Sequence, residues 1–134
     1  MVFNMIIADS SFLVALFLKE DVNHGKAVEL FKKQGEFLVL DYALGETMTV
    51  IVYKRGIDFA KEAYDKIKAN EAFDVHQISQ DDIEHSYEFL FSRKKKLSFV
   101  DSIIIHFAVS RKMDIAAFDR QIGSVFRKVK KKIK

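Results

Sequence analysis

The chain has 134 residues, of which 49% are hydrophobic and 31% are charged, with a formal net charge of +3. This composition is typical of a folded domain, so a disordered chain is not the expected state. The absence of cysteine excludes disulfides, thiolate nucleophiles and cysteine-type zinc sites. No apolar run reaches the roughly 18–20 residues that span a bilayer, and the N-terminal apolar stretch lacks the basic region of a signal peptide. We therefore expect a single cytoplasmic domain covering residues 1–134.

The N-terminal segment predicts a buried strand followed directly by a helix. Met5 to Ala8 is a short continuous apolar run, as expected of a strand that is buried on both faces. The run ends at Asp9, and a helical pattern begins at Ser10, so either residue is placed to cap the helix. Asp9 is then expected at the carboxyl edge of a central parallel strand, where open α/β sheets bind their ligands.

The rest of the chain alternates between helical and strand patterns. Periodicity and capping signals predict five further helices, from Asn23 (as cap) to about Lys33, Ala43 to Gly56, Ile57 to Ala69, Ser79 to Ser92, and Phe99 to Lys112 with Ser98 as cap. Apolar runs predict two further strands, from Glu36 to Leu40 and from Asp114 to Phe118. Three segments are less regular: 73–78 fits a short strand or an extended connection, the basic run 93–96 fits a loop, and the basic tail from Ser124 fits either a helix or a strand with one cationic face.

Strands separated by helices predict parallel pairing with right-handed crossovers. The sequence contains no internal repeat and no linker composition. The expected fold is therefore a single α/β domain with a parallel four- or five-stranded sheet and helices on both faces.

Four acidic residues stand at predicted element boundaries, and each has a local structural explanation. Asp9 and Asp119 each follow a predicted strand and are placed to cap the next helix. Asp101 lies three residues after Ser98, the spacing of a capping box. Glu46 falls in the first turn of its predicted helix, where a negative charge suits the helix dipole.

The positions of these acids relative to the sheet point to a second explanation. Asp9 and Asp119 both follow strands, so a parallel sheet would project them from one edge. Asp101 shares its helical stripe with the apolar Ile104, Ile105 and Ala108, which favours an inward orientation that a surface cap would not need.

Glu46 is likewise expected on an inward stripe with Thr49, Val50 and Tyr53. Four carboxylates converging at one edge would repel strongly, because two unit charges about 4 Å apart interact by roughly 4 kcal/mol at an effective dielectric near 20. Either some are protonated or a cation lies between them. Oxygen ligands select hard ions, so Mg²⁺ or Mn²⁺ is the expected occupant.

A zinc site is poorly supported by the histidines. The chain has four, none with paired ligand spacing, and each is expected to be a surface or core residue: His24, His76, His85 and His106.

Four short motifs in order resemble the PIN domain, and within it the small single-domain VapC-type toxins. They are IIADSS at 6–11, ALGE at 43–46, LSFVDSII at 97–104 and AFD at 117–119. Each motif alone is weak, whereas the four in this order and spacing are specific, and the resemblance covers the chain from about Met5 to Val129.

The resemblance implies an Mg²⁺- or Mn²⁺-dependent endoribonuclease that hydrolyses RNA phosphodiester bonds with metal-activated water. It also implies an inhibitory antitoxin partner and a homodimer. Position by position, the residues that match the family's four acids are Asp9, Glu46, Asp101 and Asp119. Ser10 or Ser11 matches the small hydroxyl residue that often follows the first acid. One position departs from the pattern, because Ala117 stands where the family frequently has Ser or Thr.

An acidic site does not attract RNA by itself, so flanking cations are needed to contact phosphates. The candidate RNA contacts are Arg93, Lys94, Lys95, Lys96, Arg120, Arg127 and Lys128. Two other functions stay open on the same motifs. One is a PIN-domain nuclease of RNA processing or turnover, and the other is a catalytically weak RNA-binding or assembly module whose acids serve only as helix caps.

Overall fold

The computed structural model describes residues 5–94 and 96–133, with side chains described to residue 129. Lys95, a candidate RNA contact, lies outside the described residues. Within these ranges the chain forms four strands and seven helices in the order β1 Ile6–Ala8, α1 Ser10–Phe17, α2 His24–Gln34, β2 Phe37–Leu40, α3 Asp41–Arg55, α4 Ile57–Ala69, β3 Phe73–His76, α5 Gln80–Ser92, α6 Phe99–Arg111, β4 Ile115–Ala116 and α7 Arg120–Ile133. None of the described helices is both long and apolar enough to cross a membrane.

The strands form one parallel sheet in the order β3-β2-β1-β4, which confirms the four-stranded alternative. Ile7 of β1 pairs with Leu38 of β2 on one side and with Ile115 of β4 on the other. The first strand is therefore central, as its continuous apolar sequence predicts.

Alternate residues of β2 enter two different cores, so the sheet is covered on both faces. Phe37 and Val39 pack with residues of α1 and α2, including Phe12, which stacks on Phe37 with ring centroids 4.8 Å apart. Leu38 and Leu40 pack on the opposite face with α6 and α7. All four residues of β2 are buried, which confirms the expectation of helices on both faces.

The largest differences from the predicted boundaries are at the start of α3 and in the last strand. The third helix begins at Asp41 rather than Ala43, directly after β2, and the negative charge of Asp41 suits the first turn of the helix. The last strand covers only Ile115–Ala116, because the Phe118 amide donates to the Ser11 hydroxyl and the chain turns away from the sheet.

Two capping and tail predictions are also settled. Asn23 precedes α2 but makes no side-chain cap; instead the Asp21 carboxylate accepts from the Asn23 amide at 2.8 Å. The tail from Ser124 is helical, and its helix already begins at Arg120. The basic run is irregular at its described residues 93, 94 and 96, as predicted.

Candidate active site

The centre of the candidate site is the buried carboxyl group of Asp9. It follows β1, caps α1, and has an exposed fraction of 2%. The Asp9 amide donates to the carbonyl of Ala116 at 2.9 Å, which ties this residue to the end of β4. Oδ2 of Asp9 accepts from the amide of Ser11 at 3.1 Å and from its hydroxyl at 2.6 Å. Oδ1 is buried without a hydrogen-bond partner in the described part of the chain.

Two of the other predicted acids, Asp101 and Glu46, act electrostatically on this group, and Asp119 acts on Asp101. Burial raises the pKa of Asp9 from 3.8 to about 6, helped by the negative charges of Asp101 and Glu46 and opposed by hydrogen bonds from Ser11. Burial also raises the pKa of Asp101, helped by the charges of Asp119 and Glu46 and opposed by hydrogen bonds from Ser98. The four predicted acids are therefore linked as electrostatic neighbours, Asp9 with Asp101 and Glu46, and Asp101 with Asp119 and Glu46.

Glu46 enters this cluster by a different route from the predicted one. It lies in the second turn of α3, because that helix begins at Asp41. The buried residues of α3 are Ala43, Leu44, Thr47 and Ile51, whereas Thr49 and Tyr53, expected beside Glu46 on an inward stripe, are exposed. Glu46 is half-buried at the boundary of the buried face, where the hydroxyl of Ser10 donates to its Oε1.

Asp101 and Asp119 both cap helices. Each of them is therefore a helix cap and also an electrostatic neighbour of another predicted acid. Asp101 and Ser98 form the predicted capping box, with amide-to-side-chain distances of 3.0 and 3.3 Å. Oδ1 of Asp119 accepts from the amides of Gln121 and Ile122 at 2.8 and 3.3 Å. Asp101 is half-buried, as its apolar stripe predicts, and Asp119 is exposed.

Ser11 connects two of the chain segments that carry acids. Its hydroxyl donates to Asp9 and accepts from the amide of Phe118 at 2.9 Å. Phe118 directly precedes Asp119, so one hydroxyl spans the ends of β1 and β4. Ala117, the position that departs from the family pattern, is half-buried and lies next to this contact.

An open cleft of about 340 Å³ adjoins this region, and we call it the acidic cleft because Asp21 and Asp119 line it; Asp119 is the one of the four predicted acids among its described lining residues. It is lined by residues from α1, α3, the loop after α1 and the segment after β4: Ser10, Ser11, Val14, Asp21, Asn23, Val50, Phe118 and Asp119.

The donor set suits a hard divalent cation, although the side chains are not arranged as a finished ligand set. Among the described residues, no group of three or more His, Cys, Asp or Glu side chains is placed to hold a metal ion. Glu46, Asp9 and Asp101 accept hydrogen bonds from Ser10, Ser11 and Ser98 respectively. The buried, unpartnered Oδ1 of Asp9 and the oxygen-only chemistry of the cluster fit Mg²⁺ or Mn²⁺, provided that the side chains move together.

The predicted RNA-contact cations fall into two groups. Arg93 is half-buried with its guanidinium over the ring of Phe89, and Lys94 and Lys96 are exposed. The carbonyl of Lys96 accepts from the Gln121 side chain, which joins the basic loop to α7. Arg120, Arg127 and Lys128 are exposed on α7, and the two arginines line a cleft that includes Asp119.

Sequence reasoning missed Lys26, a lysine of α2 that lines the same cleft. No sequence signal marks it, since its place opposite α7 depends on the packing of distant segments. It also missed a cluster of Asp82 with His106 and Arg111, of which only the helix-start signal at Ser79 was visible.

The chain thus folds as an α/β domain whose parallel sheet carries an acidic cleft at its carboxyl edge. It belongs to the PIN domain family, whose model matches residues 6–132. The structure is similar to the crystal structure of VapC20 of Mycobacterium tuberculosis, a sarcin–ricin loop cleaving toxin, with a TM-score of 0.83 and 25% sequence identity over 90% of this chain and 94% of that chain. PIN-domain nucleases of this type generally use divalent metal ions. No curated protein sequence matches the chain.

Proposed function

We propose that the chain is a Mg²⁺- or Mn²⁺-dependent endoribonuclease and the toxin of a toxin–antitoxin pair. The observation that carries the proposal is the cluster of four acids around the buried Asp9, at the carboxyl edge of a PIN-domain sheet. The similarity to a toxin that cleaves the sarcin–ricin loop supports an RNA substrate.

The proposed roles are those that the resemblance to the PIN domain implies, and the burial of Asp9 supports them. Asp9 and Asp101 would hold the principal ion, and Glu46 and Asp119 would be further ligands of that ion or of a second one. A bound divalent ion supplies activation of water and compensation of charge on the phosphoryl group. The elevated pKa of Asp9 means that its carboxyl keeps a proton below about pH 6, which must leave before an ion binds.

Three serines position these acids. Ser10 orients Glu46, Ser11 fixes Asp9 and the Phe118 segment, and Ser98 fixes Asp101. Such hydrogen bonds set the orientation of metal ligands, and their loss weakens metal binding or activity by about 10–100-fold.

The test compares Asp9→Asn with Asp58→Asn, which removes one exposed acid from the first turn of α4. Each protein is incubated with total cellular RNA and Mg²⁺ or Mn²⁺, and the new RNA ends are mapped. We expect specific ends with the wild type and Asp58→Asn, and a loss of about a hundredfold or more with Asp9→Asn. Wild-type cleavage by Asp9→Asn would refute the assignment.

The same experiment separates the two other functions. Cleavage confined to precursor or decaying transcripts would favour a nuclease of RNA processing or turnover. RNA binding without new ends under any divalent ion would favour a binding or assembly module.

We also propose an antitoxin partner and a homodimer, as in VapC-type toxins. Large apolar side chains are exposed where α3 meets α4, where Tyr53 and Ile57 have exposed fractions of 87% and 74%. A Tyr53→Glu variant is expected to lower the mass measured by light scattering from dimer to monomer if this surface forms the dimer. Cytoplasmic localisation stays a prediction from the sequence.

A further inference from the structure

A second cleft adjoins the acidic cleft and is walled by cationic side chains. It has a volume of about 660 Å³, within the size range of small-ligand sites, about 300–1,000 Å³. We call it the basic cleft. Asn23, Phe118 and Asp119 line both clefts. A ligand that occupies the acidic cleft can therefore continue into the basic cleft along the same floor.

The charges of the basic cleft come from two helices that are distant in sequence. Lys26 of α2 forms one wall, and Arg120 and Arg127 of α7 form the other. Asp119 is the only acid among its described lining residues, and none of the three cations forms an ion pair within the described part of the chain. The cleft therefore has excess positive charge directly beside the negative charge of the catalytic candidates.

Gly123 provides the space for one of these cations. A Cβ at this position would lie 3.3 Å from a guanidinium nitrogen of Arg127, closer than ordinary contact. Gly123 is inside α7 and does not have a positive φ, so its backbone conformation does not require glycine. Glycine is less favourable than alanine in a helix interior, and a methyl group at this position would require the flexible guanidinium of Arg127 to shift by a few tenths of an ångström.

We propose that the basic cleft binds the sugar–phosphate backbone of single-stranded RNA next to the scissile bond, with phosphates contacted by Lys26, Arg120 and Arg127. The proposal rests on the proposed function, because the acidic cleft fixes which phosphate is cleaved. The acidic cleft repels a polyanion, so binding free energy must come from phosphates outside it. A continuous, positively charged groove can hold the backbone of an unpaired strand, and this mode of binding does not depend on the base sequence.

The test measures binding separately from cleavage. Anisotropy of a labelled single-stranded RNA oligonucleotide is recorded in EDTA over a range of salt concentrations. Each phosphate contact with single-stranded nucleic acid contributes about 0.7 to the slope of log K against log salt, equivalent to about fivefold in affinity at 0.1 M salt. We expect Lys26→Gln, Arg120→Gln and Arg127→Gln each to lose about this much.

The matched control for charge is Lys32→Gln, which removes one exposed lysine from the last turn of the same helix as Lys26. We expect its RNA affinity and salt slope to stay close to wild type. Equal effects of Lys26→Gln and Lys32→Gln would overturn the proposal, because the cations would then act only through net charge.

A second variant tests the geometry without changing any charge. Gly123→Ala keeps the charge of Arg127 and shifts its guanidinium by only a few tenths of an ångström, so we expect its RNA binding to stay close to wild type, unlike that of Arg127→Gln. Gly25→Ala is the control, since it adds the same methyl group to α2, beside Lys26, with no atom within 4 Å. Wild-type RNA binding by both Arg120→Gln and Arg127→Gln would overturn the role of α7.

The outcomes also distinguish failure of this site from failure of the proposed function. Loss of RNA binding in the cleft variants supports the site even if the wild type cleaves no RNA. Cleavage by the wild type, with unchanged binding in the cleft variants, would overturn the site and leave the nuclease in place. Polyglutamate is used as a second binding probe, because it is an acidic polypeptide and not a nucleic acid. Loss of polyglutamate binding with unchanged RNA binding would overturn the proposal in favour of an acidic polypeptide.

Discussion

Two buried aspartates in this protein have opposite electrostatic environments. Asp9 and Asp82 have exposed fractions of 2% and 9%, and burial alone would raise the pKa of both. The pKa of Asp82 is nevertheless lowered, because hydrogen bonds from Ser79, His106 and Arg111 outweigh burial. Asp9 has only Ser11 as a side-chain donor and has acids as its charged neighbours, so its pKa rises to about 6.

The two aspartates differ in whether the chain itself supplies partners for both carboxylate oxygens. Arg111 reaches both oxygens of Asp82 at 3.4 and 3.2 Å, and His106 lies 3.2 Å from Oδ1. This carboxylate is satisfied by the chain and stabilises the packing of α5 on α6. Asp9 instead leaves Oδ1 without a partner in the described residues, so its charged form depends on a cation from outside the chain.

The largest expected effect is on the response to a divalent ion. Mn²⁺ added at about a hundredfold over its dissociation constant should raise the free energy of unfolding of the wild type by roughly 2.7 kcal/mol. Asp9→Asn should gain little, whereas Asp58→Asn should behave as the wild type. Thermal melting with and without Mn²⁺ measures this, and an equal gain in Asp9→Asn would place the ion elsewhere.

The next effect is the pH dependence of stability without metal. Between pH 3.8 and about 6 the folded state keeps the Asp9 proton that the unfolded state has lost, so the free energy of unfolding falls as pH rises through this window. A shift of this size corresponds to about 2–3 kcal/mol at neutral pH. In EDTA we therefore expect Asp9→Asn to become more stable than the wild type as pH rises.

Urea unfolding across this pH window measures the difference. A constant difference between the two proteins would show that Asp9 does not titrate in it. Asp58→Asn again serves as the control, since its parent side chain is exposed.

A smaller effect is expected at the hydroxyl that joins the two strand ends. Ser11→Ala removes the bond to Asp9 and leaves the Phe118 amide without its acceptor, so RNA cleavage should fall by about 10–100-fold. Ser110→Ala is the control, because its hydroxyl bonds only within the last turns of α6. Initial rates of RNA cleavage measure this effect. An unchanged rate in Ser11→Ala would show that Asp9 is positioned without the Ser11 hydroxyl.

The smallest effect is expected at the cluster of Asp82, His106 and Arg111. Arg111→Gln removes the bonds to Asp82 and the contact of the guanidinium with the Phe107 ring at 3.5 Å. Because the Arg111 side chain is 40% exposed, we expect a loss of about 1 kcal/mol in unfolding free energy. Since the pKa of Asp82 is lowered, this contribution is present at neutral pH and is lost as the carboxyl is protonated in acid.

Chemical denaturation at neutral and acid pH measures this contribution, and RNA cleavage should be unchanged. Arg55→Gln, which breaks the exposed pair with Glu20, is the comparison and should have little measurable effect. A cleavage defect in Arg111→Gln would contradict a purely structural role for the second cluster.

The sequence by itself determined the order of elements and the places of the strand-edge acids. Both depend on local physics: a short apolar run forms a buried strand, and a carboxylate or hydroxyl at a helix start accepts from free amides. The strand β1, the cap at Asp9 and the capping box at Ser98 and Asp101 were therefore readable within a few residues each.

Only the tertiary structure decided the features that depend on contacts between distant segments. The environment of Glu46 depends on where α3 begins and on the hydroxyl of Ser10. The tail, whose sequence pattern fits a helix or a strand, is part of helix α7. Arg111 lies 29 residues from Asp82, and Lys26 faces Arg127 only because the fold brings α2 and α7 to one cleft. Local periodicity does not encode such pairings, because their free energies depend on which groups meet after the sheet and helices have packed.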